Sequence, residues 1–189
     1  MKALKFLLMA VVAVALFSCE PQDPKASFTL TYGYEMDDMG EVIPNTGVEI
    51  KNGDVIDVTM DHYEWGEIVA HVLLTNNGSA ATFTTKEVRN YDYTKYVPSF
   101  CVTLCMMGNG QQEQLWEVGE IDANATQDLA MHLRVNDQES AVCPGVFTIS
   151  NGTESITFTL NFVYDKEDEI VLSFSFQYML QVLHNLVTN

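Results

Sequence analysis

Basic residues are scarce in this chain. Nine Lys and Arg stand against 26 Asp and Glu, which gives a formal net charge of −17 over 189 residues. A surface this acidic repels the phosphates of nucleic acid and the headgroups of anionic lipids. The composition therefore argues against nucleic acid as a partner, and beyond that the acidity indicates only a well-hydrated surface.

Long apolar runs are also missing. The longest, from Phe6 to Phe17, has about 12 residues, whereas a membrane-spanning helix needs roughly 20. This run follows Lys2 and Lys5 and stops at Cys19, which is the arrangement of a secretory signal peptide. The sequence therefore predicts a protein that is exported from the cytoplasm.

The end of the signal predicts a lipid anchor. Leu16-Phe17-Ser18-Cys19 resembles the lipobox of bacterial lipoproteins, in which the cysteine is acylated and becomes the first mature residue. The resemblance implies a signal peptide at 1–18, a lipidated tether at 19–25, and attachment to the outer membrane or cell surface through Cys19. More than one acyl chain gives stable attachment. Cleavage removes two basic residues and no acidic ones, so the mature net charge becomes −19.

From residue 26 onwards, apolar and polar residues alternate and no long helical repeat occurs. The alternation is clear from Phe28 to Tyr32, Ile68 to Leu74, Leu129 to Val135 and Ile156 to Tyr164. A period of two with β-branched and aromatic residues indicates half-buried strands. We count about eight to ten such stretches, which predict one all-β domain over 26–189, a sandwich or barrel of mostly antiparallel strands.

Turn residues separate the predicted strands. Asn52-Gly53 lies between two apolar stretches, and because both residues tolerate positive φ it predicts a hairpin. At Asn76-Asn77-Gly78 the chain is expected to turn and return through Phe83. A further turn at 166–168 is expected to lead into a last strand over 170–178.

The cysteines allow several readings. With Cys19 acylated, Cys101, Cys105 and Cys143 remain, and thiols of exported proteins tend to pair. If 99–106 formed one straight strand, Cys101 and Cys105 would lie about 13 Å apart, beyond the roughly 7 Å that a disulfide spans. Either the strand is broken between them, or one of them pairs with Cys143. A zinc site lacks a second cysteine pair and a histidine at finger-like spacing, so no metal is predicted.

Three stretches carry a resemblance: Asn76 to Ser79 after an apolar strand, Phe100 to Cys105, and Glu154 to Phe162. Together they resemble a family of immunoglobulin-like sandwich domains found in secreted proteins and lipoproteins of the Bacteroidetes group. The resemblance covers roughly residues 65 to 165. It implies an immunoglobulin-like β-sandwich in which Cys101 and Cys105 bridge each other within a tight turn, and it supplies no activity that could be carried over to this chain.

Catalytic and cofactor signatures are absent from the sequence. Glu67 and His71 would share one face of a helix, but on a strand they would lie about 13 Å apart. There is no glycine-rich phosphate loop, paired-carboxylate signature or basic stripe. We therefore predict no cofactor and no enzymatic activity.

Aromatic residues outside the core alternation are the candidate ligand contacts: Trp65, Tyr91, Tyr93, Tyr96 and Trp116. Such side chains stack on sugars or anchor protein partners, and they also cap the open ends of sandwiches. The expected function is a lipid-anchored extracytoplasmic binding or structural module that recognises a glycan or protein through its end loops. The alternatives are a lipocalin-like β-barrel that carries an apolar ligand and a surface hydrolase.

Overall fold

The computed structural model describes residues 26–36, 39, 42–43, 46–59, 63–64, 67–135 and 139–166, with side chains described for all of these except 63–64. The predictions for the signal peptide, Cys19, Trp65 and the strand at 170–178 lie outside these residues. No helix in the described ranges is long and apolar enough to cross a membrane.

Strands account for most of the described chain. They are β1 (Phe28–Tyr32), β2 (Val48–Ile50), β3 (Val55–Val58), β4 (Tyr63–Glu64), β5 (Glu67–Asn76), β6 (Ala81–Arg89), β7 (Tyr96–Cys101), β8 (Cys105–Met107), β9 (Glu113–Ile121), β10 (Thr126–Val135), β11 (Ala141–Ser150) and β12 (Ser155–Tyr164). These twelve exceed the predicted eight to ten because β2, β4 and β8 have only two or three residues each, too few for an alternating pattern.

The strands form two sheets. The larger sheet has the order β2-β1-β5-β10-β7-β8, with β4 beside β5, and the smaller has the order β3-β12-β11-β6-β9. Every pairing between these strands is antiparallel except that of β3 with β12. The chain repeatedly crosses from one sheet to the other, as in Greek-key sandwiches. The predicted fold class, an all-β immunoglobulin-like sandwich, is confirmed.

The turns at Asn52-Gly53 and at Asn76-Asn77-Gly78 each connect strands of different sheets. The hairpin predicted at Asn52-Gly53 is therefore wrong. Before this turn β2 pairs with β1 in the larger sheet, and after it β3 runs parallel to β12 in the smaller one. Gly53 has a φ of 92°, and its amide donates to the carbonyl of Thr157 at 2.7 Å, which directs the chain towards β12. Turn residues reverse the chain here, but distant pairing decides the sheet that it joins.

The return through Phe83 also crosses between the sheets, because β5 belongs to the larger and β6 to the smaller. Asn76 controls this crossing. Its side-chain amide donates to the carbonyls of Ser79, Ile121 and Asp122 at 2.8 to 3.1 Å. The buried Asn76 therefore ties two connections together where the chain leaves the larger sheet.

The core between the sheets is built from the predicted inward faces. Leu129, Met131, Leu133 and Val135 of β10 are buried, as are Phe158, Leu160, Phe162 and Tyr164 of β12. Aromatic rings fill the space, for example Phe28 against Phe83 with centroids 5.3 Å apart. The described residues form two separate sheets with a filled interior, which favours a sandwich over the lipocalin-like barrel, since a barrel is a single closed sheet.

The chain enters the sandwich at one end, which we call the entry end. There the amide and hydroxyl of Ser27 both donate to the Glu154 carboxylate, at 3.0 and 2.6 Å, and the Asn77 amide donates to the Ser27 carbonyl. Since β6 runs away from this end and antiparallel β7 runs back, the loop at 90–95 lies at the opposite end. We call that the far end, and the segment at 108–112 lies there too.

Candidate functional site

The predicted aromatic contacts occupy different environments. Trp116 is 1% exposed and stacks on Phe100, with ring centroids 5.6 Å apart, and Tyr96 is 8% exposed with its hydroxyl donating to the Glu139 carbonyl. The prediction of a ligand contact is wrong for these two, because their rings belong to the core. Tyr91 and Tyr93 are half-buried in the 90–95 loop at the far end.

The 90–95 loop has a defined shape around Asp92. The Asp92 carboxylate accepts hydrogen bonds from the hydroxyl and the amide of Thr94, and its carbonyl accepts the amides of Lys95 and Tyr96. The bonds to the carboxylate, first of all the one from the Thr94 hydroxyl, lower the pKa of Asp92 below its ordinary value. A short polar side chain that bonds backbone groups ahead of it stabilises a turn. Tyr93 is thereby presented at the tip of this turn.

A buried ion pair lies beneath the far end. Glu87 and Arg89 of β6 are 2% and 1% exposed, and Arg89 Nη2 donates to Glu87 Oε2 at 2.9 Å. The Trp116 indole donates to the same carboxylate at 3.2 Å, and the Tyr91 hydroxyl donates to it at 3.3 Å. Buried charges persist in proteins only when they are paired and hydrogen-bonded. Glu87 therefore joins the ion pair to the 90–95 loop.

Arg89 extends this network to the second far-end segment. Its Nη2 also donates to Gln114 Oε1 at 2.9 Å, and its Nη1 donates to the carbonyl of Gln111. Gln114 in turn accepts the amide of Asn109 at 2.7 Å. The two far-end segments are thus held to one buried group of charges. Burial, followed by the nearby Glu87 charge, raises the pKa of Tyr91, so its hydroxyl stays a donor.

This network was not among the sites predicted from the sequence, although β6 carries a signal for it. In β6 the inward positions alternate from Phe83 through Thr85 to Glu87 and Arg89. Two opposite charges two residues apart on a strand share a face. Their position in line with Phe83 indicates a buried ion pair, which is uncommon enough to mark a special site.

A disulfide joins Cys101 and Cys105, whose Cα atoms lie 4.0 Å apart. β7 ends at Cys101 and β8 begins at Cys105, so the chain turns through 102–104, and Leu104 at this turn is 80% exposed. The bridge implied by the family resemblance is confirmed, and a continuous strand through these residues is ruled out.

Cys143 is unpaired and buried on β11, and burial raises the pKa of its thiol to about 12.

The outer face of the larger sheet carries two histidines that are paired with carboxylates on neighbouring strands. His71 Nδ1 lies 2.8 Å from Asp128, and His132 Nδ1 lies 2.9 Å from Glu67, which also accepts the Arg134 guanidinium. Glu67 and His71 therefore each pair with a side chain of β10, and they form no joint site. A ring nitrogen of His132 and the sulfurs of Cys101 and Cys105 all lie within 4.8 Å of one another.

The chain matches no described protein family and none of the curated proteins. Solved structures with a similar fold include the N-terminal domain of PorA, with 17% identity and a TM-score of 0.42 over 72% of this chain and 96% of that one. The CooA pilin subunit from enterotoxigenic Escherichia coli has 11% identity and a TM-score of 0.28 over 72% and 99%. A family 123 glycoside hydrolase from Clostridium perfringens has 9% identity and a TM-score of 0.39, over 73% of this chain but 27% of the enzyme.

These similarities concern the fold alone. Identities of 9 to 17% carry no functional residue from one chain to another.

Proposed function

We propose that this protein is a lipid-anchored extracytoplasmic binding module, without catalytic activity, that presents the far end of its sandwich to a protein ligand. One observation carries the proposal. The chain enters the sandwich at one end, while the buried Glu87–Arg89 network holds both loop segments at the opposite end. Loops on a rigid scaffold are the usual place for recognition.

Anchoring at Cys19 would orient the module. The tether at 19–25 has seven residues and spans at most about 25 Å when fully extended. The entry end would then face the membrane, and the far end would face away from it. Because the surface is acidic, it would also be repelled by anionic headgroups, which favours an upright position.

The far end offers polar groups around a half-buried tyrosine. Asn90, Asp92 and Lys95 lie in the same loop as Tyr93, and Asn109 and Gln112 lie in the segment at 108–112. No aromatic side chain that the structure describes is fully exposed, so an open platform for stacking on sugar rings is not available among these residues. This favours a protein ligand over a glycan.

Membership of the Bacteroidetes lipoprotein family is part of the same proposal and is supported by the lipobox and the sandwich motifs.

Metabolic labelling tests the anchor. Cells that express the full-length protein are fed an alkyne analogue of palmitate, and the purified protein is examined for the label. We expect the wild type and Cys143→Ala to be labelled and Cys19→Ala to lose the label. Labelling that survives Cys19→Ala would contradict a lipid anchor at this residue.

Photo-cross-linking in living cells tests the ligand-binding end. A photo-reactive phenylalanine analogue at position 93 is compared with the same analogue at Thr153, in the exposed turn at the entry end. We expect a protein adduct of defined mass from position 93 and none from 153. A glycan adduct would show that the ligand is a glycan and not a protein. Equal adducts at both positions would contradict a binding site at the far end. Chemical conversion of the cross-linked ligand would favour the surface hydrolase.

A further inference from the structure

Three side chains with metal-binding atoms meet on the outer face of the larger sheet, away from the far end. β7 ends at Cys101 and β8 begins at Cys105, and His132 lies on β10, which pairs with β7. The register sets His132 opposite Ser99, two residues from Cys101 and on the same face of the sheet. Their sulfur and nitrogen atoms lie within 4.8 Å of one another.

The spacing fits zinc. Structural zinc sites commonly begin with two cysteines separated by two to four residues, and Cys101 and Cys105 are separated by three. With Zn–S bonds of about 2.3 Å and Zn–N bonds of about 2.0 Å, a tetrahedral site places its ligand atoms roughly 3.5 to 3.8 Å apart. The three ligand atoms are therefore close enough for a common ion after small side-chain movements.

His132 also has a carboxylate partner of the kind that metal-binding histidines have. Its Nδ1 is held by the Glu67 carboxylate at 2.9 Å, and Glu67 is fixed in turn by Arg134. Histidines that bind metals nearly always engage a carboxylate or carbonyl through the ring nitrogen that does not bind the metal, which sets the tautomer and the ring orientation. Nε2 of His132 is the nitrogen that remains for an ion.

The disulfide is accessible to a reductant. Cys105 is exposed, although Cys101 is only 9% exposed, so a dithiol can attack the Cys105 sulfur. Exchange then breaks the S–S bond: the dithiol gives up two electrons and two protons, becomes a disulfide itself, and leaves two protein thiols. A zinc ion displaces one proton from each thiol as the two Zn–S bonds form.

We propose that the Cys101–Cys105 hairpin is a redox-gated metal site, in which reduction frees two thiols that bind Zn²⁺ together with His132. Two sulfurs and one imidazole suit a thiophilic cation of this kind. Three protein ligands leave one position for water or for a group from a partner. In the oxidised form both sulfurs are covalently joined and no ion is held.

Zinc titration of the full-length protein tests this. Cys19→Ser is introduced so that Cys143 is the one cysteine outside the proposed site, and the detergent-solubilised protein is reduced with a phosphine. We expect one Zn²⁺ per chain by calorimetry after reduction and no such binding before it. Co²⁺ is expected to give a thiolate charge-transfer band in the reduced form only. Equal titrations in both redox forms, or no such band, would overturn the proposal.

Two variants test the ligands without removing the disulfide. His132→Ala should weaken Zn²⁺ binding by at least tenfold, and Glu67→Gln should weaken it by about 10- to 100-fold through the orientation of His132. His71→Ala is the matched control, because His71 is also paired with a carboxylate on the same face. Cys143→Ser controls for the remaining thiol. A loss in His71→Ala or Cys143→Ser as large as that in His132→Ala would overturn the assignment.

Discussion

The buried charges beneath the far end should respond strongly when one partner is removed. Glu87→Ala leaves the Arg89 guanidinium, 1% exposed, without a carboxylate, and the Trp116 indole without its acceptor. Breaking a buried ion pair by removing one partner costs about 3 to 5 kcal/mol. For a domain of this size, that lowers the melting temperature by roughly 6 to 20 °C.

Urea denaturation at neutral pH, followed by tryptophan fluorescence, measures the change in free energy of unfolding. Lys86→Ala on the same strand is the matched control, because Lys86 pairs with Glu113 at 2.8 Å with both side chains largely exposed. Exposed pairs contribute about 0 to 1 kcal/mol. A cost for Glu87→Ala below about 1 kcal/mol, or no larger than that of the control, would refute the assignment of a buried, mutually dependent pair.

A double variant separates the pair from its single members. Glu87→Leu with Arg89→Met removes both charges, and apolar replacements of buried ion pairs are often neutral or stabilising. We expect this variant to be more stable than Glu87→Ala alone. It should nevertheless loosen the far end, because Gln111 and Gln114 lose their donor. Faster hydrogen exchange at 90–95 and 108–112 would report this, and unchanged exchange would argue against the scaffold role of the network.

Three further outcomes follow from the structure. Replacing Cys101 and Cys105 by Ser should cost about 2 kcal/mol, the loop entropy of a five-residue ring, measured as a shift of the urea midpoint; no shift would contradict a structural role. Cys143, with a pKa of about 12, should resist iodoacetamide at pH 7.5 until the protein is unfolded, and rapid labelling of the native protein would contradict its burial. Hydrogen bonds from Ser27, its hydroxyl first, lower the pKa of Glu154. The stabilisation from this contact is therefore present above the ordinary carboxyl pKa and is lost as pH falls through the pKa of Glu154 in the folded protein. An NMR titration should show a higher Glu154 pKa in Ser27→Ala, and an unchanged pKa would exclude the contact with the Ser27 hydroxyl.

Much of the fold was predictable from local pattern. The inward faces of β10 and β12 follow directly from the alternation of Leu129 to Val135 and Ile156 to Tyr164. Alternation is a local property, since successive side chains of a strand point to opposite faces. The turn at Asn52-Gly53 was equally visible, but its sheet assignment was not, because the partner of β3 is β12, about 100 residues away.

The candidate sites show the same division between local and distant information. The inward position of Glu87 and Arg89 is readable from β6 alone, whereas their contacts with Trp116, Gln111 and Gln114 depend on the pairing of β6 with β9. Trp116 looked like a surface aromatic because a single sequence does not show which aromatics a second sheet covers.

The sequence by itself determined most of the longer strands, their buried faces and the close spacing of the cysteine pair, because each of these is written within a few adjacent residues. Only the tertiary structure decided that 102–104 is a turn closed by the Cys101–Cys105 bridge, and that β10 carries His132 to within 4.8 Å of the two sulfurs. The physical reason is that a strand's neighbours are set by burial of the whole core, and burial joins residues that are remote along the chain.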